Sequence, residues 1–379
     1  MRARRTALVL AATAALLVAC GEEDEPDADE PSPTAGRTDG SSGAATPDPG
    51  DGPSVVATVA TGLAVPWGLD FLPDGRAVVT ERDTARVLVL TPSRGDAEAE
   101  VTEVGRIPET APQGEAGLLG VAVSPDFEDD RFLYFYVCTA EDNRVVRATL
   151  DEKGTLGTTE PVLTGIPGGA IHDGGRLEFG PDGHLYVSTG ETGDDQLARE
   201  REGYAGKILR ITTEGEPAPG NPFDDEVWSW GHRNVQGLAF DDGGRLWASE
   251  FGASSFDELN LIEAGDDYGW PTVEGTGGEP DFHDPALTWP TEEASPSGLA
   301  FLDGDLWMAA LRGGRLWRIP VSADGTEGVG EPTAHFTGEY GRLRTVAVAP
   351  DGRLWLTTSN LDGRGDPAAE DDRILAVAP

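Results

Sequence analysis

Basic residues are scarce in this chain: 28 Lys and Arg stand against 68 Asp and Glu in 379 residues, a formal net charge of −40, with only 5 His. A field of that sign repels polyanions, which argues against nucleic acid and anionic lipid surfaces as partners. A chain this acidic that still binds an anion must gather its few arginines in one place. Cysteine is scarcer still, with Cys20 and Cys138 alone. Cys138 lies in the apolar stretch 132–139 and reads as a small buried apolar residue. Long helical periodicity is absent, since no stretch carries an extended amphipathic helix pattern. The one sustained apolar run, 7–18, is too short to span a bilayer as a helix.

Arg2, Arg4 and Arg5 precede that run, and its end runs into Leu17-Val18-Ala19-Cys20, the layout of a secretion signal. The last four residues resemble the lipobox of bacterial lipoproteins, whose cysteine is acylated and becomes the mature N-terminus. That resemblance implies a lipoprotein signal peptide over 1–20, an acylated Cys20, and an extracytoplasmic protein lipid-anchored to the bacterial cell membrane. Its only contact with the membrane is then the anchor. With Cys20 lipidated, no disulfide is possible within the chain. Residues 21–53 are acidic and rich in Pro, Gly, Ser and Asp, the composition of a disordered tether.

From 54 to 379 one pattern recurs: an apolar strand, a Pro/Asp/Gly turn, then a second strand rich in Leu, Trp, Tyr or Val. Copies lie at 68–80, 120–137, 176–188, 237–249, 298–309 and 345–357. Third strands are expected at 87–90, 144–150, 207–211, 258–262, 315–319 and 373–377. A multi-strand period of about 50 residues is the signature of propeller blades, so the expected fold is an all-β, six-bladed β-propeller forming one domain. The sixth copy ends without a fourth strand, and 55–60 is free to fill its place and close the ring.

The third copy also carries chemistry. In IHDGGRLEFGPDGHLYVSTGETGDD, 171–195, the hairpin that pairs 176–179 with 185–188 brings His172 and Glu191 to the same open end. A histidine beside a carboxylate is a general base with its orienter, although such a pair, taken alone, is more often a structural hydrogen bond. If each turn marks the bottom of its blade, then Glu115, His172, Arg233, Asn234, Arg342 and Arg344, which precede first strands, lie at the top. So do Glu191, the 250–253 segment and Arg312, which come after second strands. A base beside arginines from several blades implies a flat, multiply anionic ligand, because the guanidinium fork matches carboxylate and quinone-like oxygens.

These residues carry a family resemblance. Gly117-Leu118-Leu119-Gly120, His172-x-Gly174-Gly175-Arg176-Leu177, Gly231-His232-Arg233-Asn234-x-Gln236-Gly237-Leu238, Ser249-Glu250-x-Gly252, Asp257-Glu258-x-Asn260-Leu261-Ile262, Tyr268-Gly269-Trp270-Pro271 and Arg342-x-Arg344 resemble the pyrroloquinoline quinone (PQQ)-dependent soluble glucose and aldose sugar dehydrogenases, over about 55–379. The resemblance implies oxidation of the anomeric carbon of an aldose sugar to a lactone, with electrons passed to an unidentified acceptor. It makes His172 the base for the C1 hydroxyl, Glu191 its holder, and Arg233 and Asn234 contacts to the quinone oxygens. Glu115, Arg312, Arg342 and Arg344 would also face the cofactor, while Gly252 and Ala253 would offer carbonyls to Ca2+. Trp289 resembles an aromatic near the family's sugar pocket, and fits core packing equally.

The chain departs from the family pattern in three places: Glu115 stands for a glutamine, Arg312 for a lysine and Ala253 for a proline. A carboxylate beside a tricarboxylate is repulsive, so Glu115 is expected to be raised in pKa or to need a cation. Two other readings share the fold. One is a non-catalytic surface propeller that binds a glycan or protein, and the other a calcium-dependent lactonase-like propeller, which gives no reason for the arginines.

Overall fold

The computed structural model describes residues 52–379 except 94, 96, 279 and 323–327. The signal, Cys20 and nearly all of the tether lie outside the described residues. Among them are six four-stranded antiparallel sheets, the blades of a six-bladed β-propeller, and only two short helical turns, Phe127–Asp130 and Asp195–Arg199. No described helix is long and apolar enough to cross a membrane. The innermost strands are Pro66–Phe71, Leu118–Val123, Leu177–Phe179, Val235–Phe240, Pro296–Leu302 and Leu343–Val348. Each pairs with the strand beyond its Pro/Asp/Gly turn, and the expected third strands are present within a residue or two. Ser54–Ala60 pairs antiparallel with Ile374–Ala378 and supplies the sixth blade's outer strand. Three of the remaining outer strands, Glu100–Arg106, Glu160–Ile166 and Thr333–His335, are mostly exposed, so their apolar pattern was too thin to read from sequence.

Apolar side chains fill the wedges between neighbouring blades. One such cluster joins Ala122, Tyr134 and Tyr136 to Leu177, Leu185 and Val187, with Cys138 buried among them. At the top of the ring the inner strands approach more closely than side chains permit. A Cβ on Gly120 would lie 2.2 Å from the Gly175 carbonyl oxygen, and one on Gly68 2.7 Å from that of Leu119. Hydroxyls clasp the same seam from blade to blade: Thr80 donates to the Leu119 carbonyl at 2.5 Å, Ser188 to Val235 at 2.8 Å, Ser249 to Ser297 at 2.6 Å and Thr345 to Trp67 at 2.6 Å. Five inner strands shift register at this height, between Pro66 and Leu69, Leu118 and Val121, Val235 and Gly237, Pro296 and Leu299, and Leu343 and Val346. Such bulges bend a strand and re-aim the side chains beside them.

Gly120 has an ordinary backbone, so alanine there is opposed by the neighbouring blade alone. Gly120→Ala is therefore expected to destabilise by about 1 to 3 kcal/mol, as overpacking does. A thermal melt unchanged from the parent would contradict this account of the seam.

Candidate functional site

Pairing of Leu177 with Val187 and Phe179 with Leu185 closes the hairpin and sets His172 against Glu191, Nδ1 to Oε1 2.5 Å. Glu191 is 2% exposed, and its other oxygen accepts the Gly193 N–H. On the far side of the ring, Arg233 Nη2 lies 3.0 Å from His172 Nε2. Arginine only donates and an ionised carboxylate only accepts, so this pairing places the proton on Nδ1 and the lone pair on Nε2. His172 has φ +55, a left-handed conformation that is costly for a branched or ring side chain and survives where surroundings over-determine it. Its carbonyl accepts the Thr192 N–H at 3.1 Å, and its own N–H donates to Glu115 Oε2 at 3.1 Å.

One cavity of about 500 Å³ is lined by Glu115, Ile171, His172, Arg233, Asn234, Phe251, Gly252, Ser295, Arg312, Arg342 and Arg364. Every blade-to-blade link except that into blade 1 contributes, as the top-face argument expected. Arg233 also donates to the Phe251 carbonyl at 3.2 Å and stacks 5.4 Å over the Trp270 ring, while its Nε has no partner. The Asn234 Oδ1 accepts the Gly174 N–H at 3.0 Å, so it turns its NH2 to the cavity. Arg312 is exposed, with no ion pair among the described residues. Arg342 Nε reaches Asp362 at 2.9 Å. Arg344 lies one layer down, in a chamber of about 170 Å³ that shares Glu115, Phe251 and Arg364 with the cavity above. It bonds Ser359 at 3.1 Å and Gln236 at 3.3 Å, and burial lowers its pKa to about 9 against the pull of Asp362.

One expectation is corrected. Trp289 is 3% exposed in the strand Leu287–Pro290 and packs 5.7 Å from Trp317 within the core, so it is no part of the mouth. That strand is the outer one of its blade, far from the channel. For Glu115, of the two alternatives, the structure takes the cation and not the raised pKa: burial pushes its carboxyl up, but the His172 N–H and Arg364 outweigh it, leaving it below the ordinary value. Arg364, 2.7 Å away, is the cation that the expectation called for.

Arg364 and Asp362 were missed, although both lie just past the second strand Leu354–Thr358, where the rule that found Glu191 would have found them. Glu274 was missed for want of any signal. It sits in a long loop after Ile262, and one of its oxygens accepts the N–H groups of Ala253, Ser254, Ser255 and Phe256 at 2.7 to 3.1 Å. Burial raises its pKa, but those four amides together hold it below the usual range. Gly252 N–H is fixed by Asp257 at 2.9 Å, so the whole strap carrying Gly252 and Ala253 is held by carboxylates.

Beneath Arg233, His232 is fully buried, bonded to Glu250 and Ser229 at 2.8 Å each and stacked 4.6 Å from Tyr268. Glu250 also accepts the Arg233 N–H. Asn260 bridges Glu250 to Glu258, whose carboxyl is pushed up to about 8 by burial and by the Glu250 charge. The native state thus holds a proton that the unfolded chain releases near 4.5, and stability falls as pH rises from about 4.5 to about 8. Glu258→Gln should remove that slope, so melts at about pH 5 and pH 8 should show the variant gaining on the parent at the higher pH. An offset identical at both pH values would refute it.

Comparison with known proteins agrees with this geometry. Residues 63–366 match the Glucose / Sorbosone dehydrogenase family. The PQQ-bound aldose sugar dehydrogenase of Streptomyces coelicolor superposes with a TM-score of 0.82 at 53% identity, over 86% of this chain and 97% of that one. An aldose sugar dehydrogenase of Escherichia coli is 28% identical over 79% of this chain and 88% of its own. Quinoprotein glucose dehydrogenase B of Acinetobacter calcoaceticus is 33% identical over 57% of this chain, a match that spans about half (52%) of that relative. With four-fifths of its length in the family match and the motif residues gathered at one mouth, the chain belongs to the glucose/sorbosone dehydrogenase family of oxidoreductases.

Proposed function

We propose that the protein is a PQQ-dependent, calcium-assisted dehydrogenase that oxidises the C1 hydroxyl of an aldose to a lactone and passes the electrons to an external acceptor, anchored outside the bacterial cell membrane by an acylated Cys20. The observation that carries the catalytic reading is the His172 ring, held between Glu191 and Arg233 on the wall of a cavity that four arginines line. The PQQ-bound Streptomyces relative supports the choice of cofactor.

The residues fit such a group. Arg233 has a nitrogen without a partner, Arg312 has no counter-charge among the described residues, and Arg342 and Arg344 share the single Asp362. In a chain of net charge −40 this local excess of cation suits a flat polyanion. Among the described residues no group of three or more His, Cys, Asp or Glu could hold a metal ion. A calcium ion at Gly252 and Ala253 would therefore use carbonyl oxygens together with oxygens of the anion itself, the hard donors it prefers.

His172 Nε2 accepts the proton of the C1 hydroxyl, and the buried Glu191 carboxylate stabilises the imidazolium that forms. The hydroxyl takes the place of Arg233 Nη2 on Nε2. The displaced guanidinium then faces the cavity, where its charge is available to developing negative charge. When bound, the quinone supplies the two-electron acceptor for the hydride leaving C1, so the sugar loses one proton and one hydride. Arg312, Arg342 and Arg344 orient the anion, and Phe251 and Ile171 provide the apolar wall.

Titrating the calcium-loaded apoprotein with PQQ, monitored by absorbance and by dye reduction with several aldoses, tests this directly. His172→Ala should lower turnover by about 10²- to 10⁴-fold while cofactor affinity stays within a few-fold of the parent. Normal turnover in the variant would mean the base is misassigned, and a parent that binds no quinone would favour the non-catalytic propeller. The anchor has its own check: mass spectrometry should find a mature N-terminus at an acylated Cys20, and an unmodified N-terminus downstream would rule it out.

A further inference from the structure

We infer that Glu115 and Arg364 act as a pair of positioning residues: Glu115 holds the main-chain N–H of the base His172, and Arg364 is the counter-ion that lets a carboxylate stand inside an anion-binding cavity. This rests on the function proposed above and deepens it.

The two oxygens of Glu115 have different partners. Oε2 accepts the His172 N–H at 3.1 Å, from 57 residues away, and Oε1 accepts Arg364 Nη1 at 2.7 Å, from 249 residues away. The Glu115 N–H donates to the Ala170 carbonyl at 2.9 Å, so both ends of this residue are tied to 170–172. That segment needs tying. His172 sits at φ +55, and a left-handed non-glycine residue persists only where neighbours fix it. Glu191 and Arg233 fix the ring, Thr192 fixes the carbonyl, and Glu115 fixes the N–H. Without the Glu115 carboxylate the His172 N–H loses its partner, and the peptide that carries the base is held less firmly.

Electrostatics explain the partner. An uncompensated carboxylate lining this cavity would repel an anionic ligand, whereas a carboxylate paired with a guanidinium presents little net charge. Arg364 is itself placed by its N–H to Asp362 Oδ1 at 2.9 Å, and the other Asp362 oxygen takes Arg342. One loop residue thus sets three arginines, counting Arg344 at 3.6 Å. The Arg364 side chain is 58% exposed, so the pair adds little to fold stability. Its consequence is for ligand binding.

A double-mutant cycle on the full-length protein separates this from direct contact between Arg364 and the ligand. PQQ affinity is measured by absorbance titration with calcium at fixed salt for the parent, Arg364→Ala, Glu115→Gln and the double variant. Arg364→Ala should weaken binding about tenfold by exposing the Glu115 charge, and Glu115→Gln should bind at least as well as the parent. The double variant should match Glu115→Gln, so that removing the carboxylate abolishes the penalty. Arg364→Lys, which keeps the charge, should stay within a few-fold of the parent and guards against a folding defect. For the other half of the pair, Glu115→Ala should lower kcat about tenfold or more with the sugar KM little changed, while Glu115→Gln keeps kcat because its amide oxygen accepts the same N–H. An equal penalty for Arg364→Ala in both backgrounds, no penalty at all, or full kcat in Glu115→Ala would overturn the inference while leaving PQQ binding by the parent intact. A parent that binds no PQQ would instead remove the proposed function, and this inference with it.

Discussion

The close approach of the six inner strands at one end of the ring is the constraint on which the rest depends. There the backbones are so near that Gly68 and Gly120 cannot carry a Cβ, and hydroxyls of Thr80, Ser188, Ser249 and Thr345 donate to carbonyls of the next blade. Those contacts fix the blade-to-blade angle at the height where the connecting loops begin. Register shifts in five of the inner strands lie beside these contacts, among them those that follow Glu115 and Arg233, while His172 is set by its own hairpin. A rigid scaffold with function on its loops is a general arrangement, and here the close-packed seam lies at the base of the loops that carry the candidate site.

Within the mouth, carboxylates are used against backbone amides and guanidinium groups, not left facing the cavity. Glu274 takes four N–H groups, Asp257 takes those of Gly252 and Ser295, Glu250 takes that of Arg233, and Asp362 serves Arg342 and Arg364. Each acid therefore orients a group, and its charge is stabilised by amide dipoles or, for Asp362, by guanidinium groups. This is how a chain of net charge −40 maintains a cationic pocket. The acids at the mouth are engaged in this way, and the arginines with free or shared valence converge on one volume.

The same two features separate what could be read early from what could not. The His172–Glu191 pair was legible because a hairpin is local: the alternation of 176–179 and 185–188 and the turn between them force its open ends together. Trp289 stayed between two readings because its outer strand is short and only partly buried, so nothing in the pattern distinguished a core tryptophan from one at the mouth. Glu115 was recognised as a problem, but its solution, Arg364, lies 249 residues away in a loop without secondary structure.

The sequence by itself determined the six-bladed ring, its closure by 55–60, and the face on which the candidate site residues gather. These come from strand alternation and turn residues, which act over a few positions and repeat six times. Only the tertiary structure decided which side chains meet across that face: that Arg233 lies against Nε2 of His172, that Glu115 holds the His172 backbone, and that Asp362 gathers three arginines. Such contacts join loops from different blades, and their distances depend on how closely the inner strands pack around the whole ring, a quantity that no local pattern encodes.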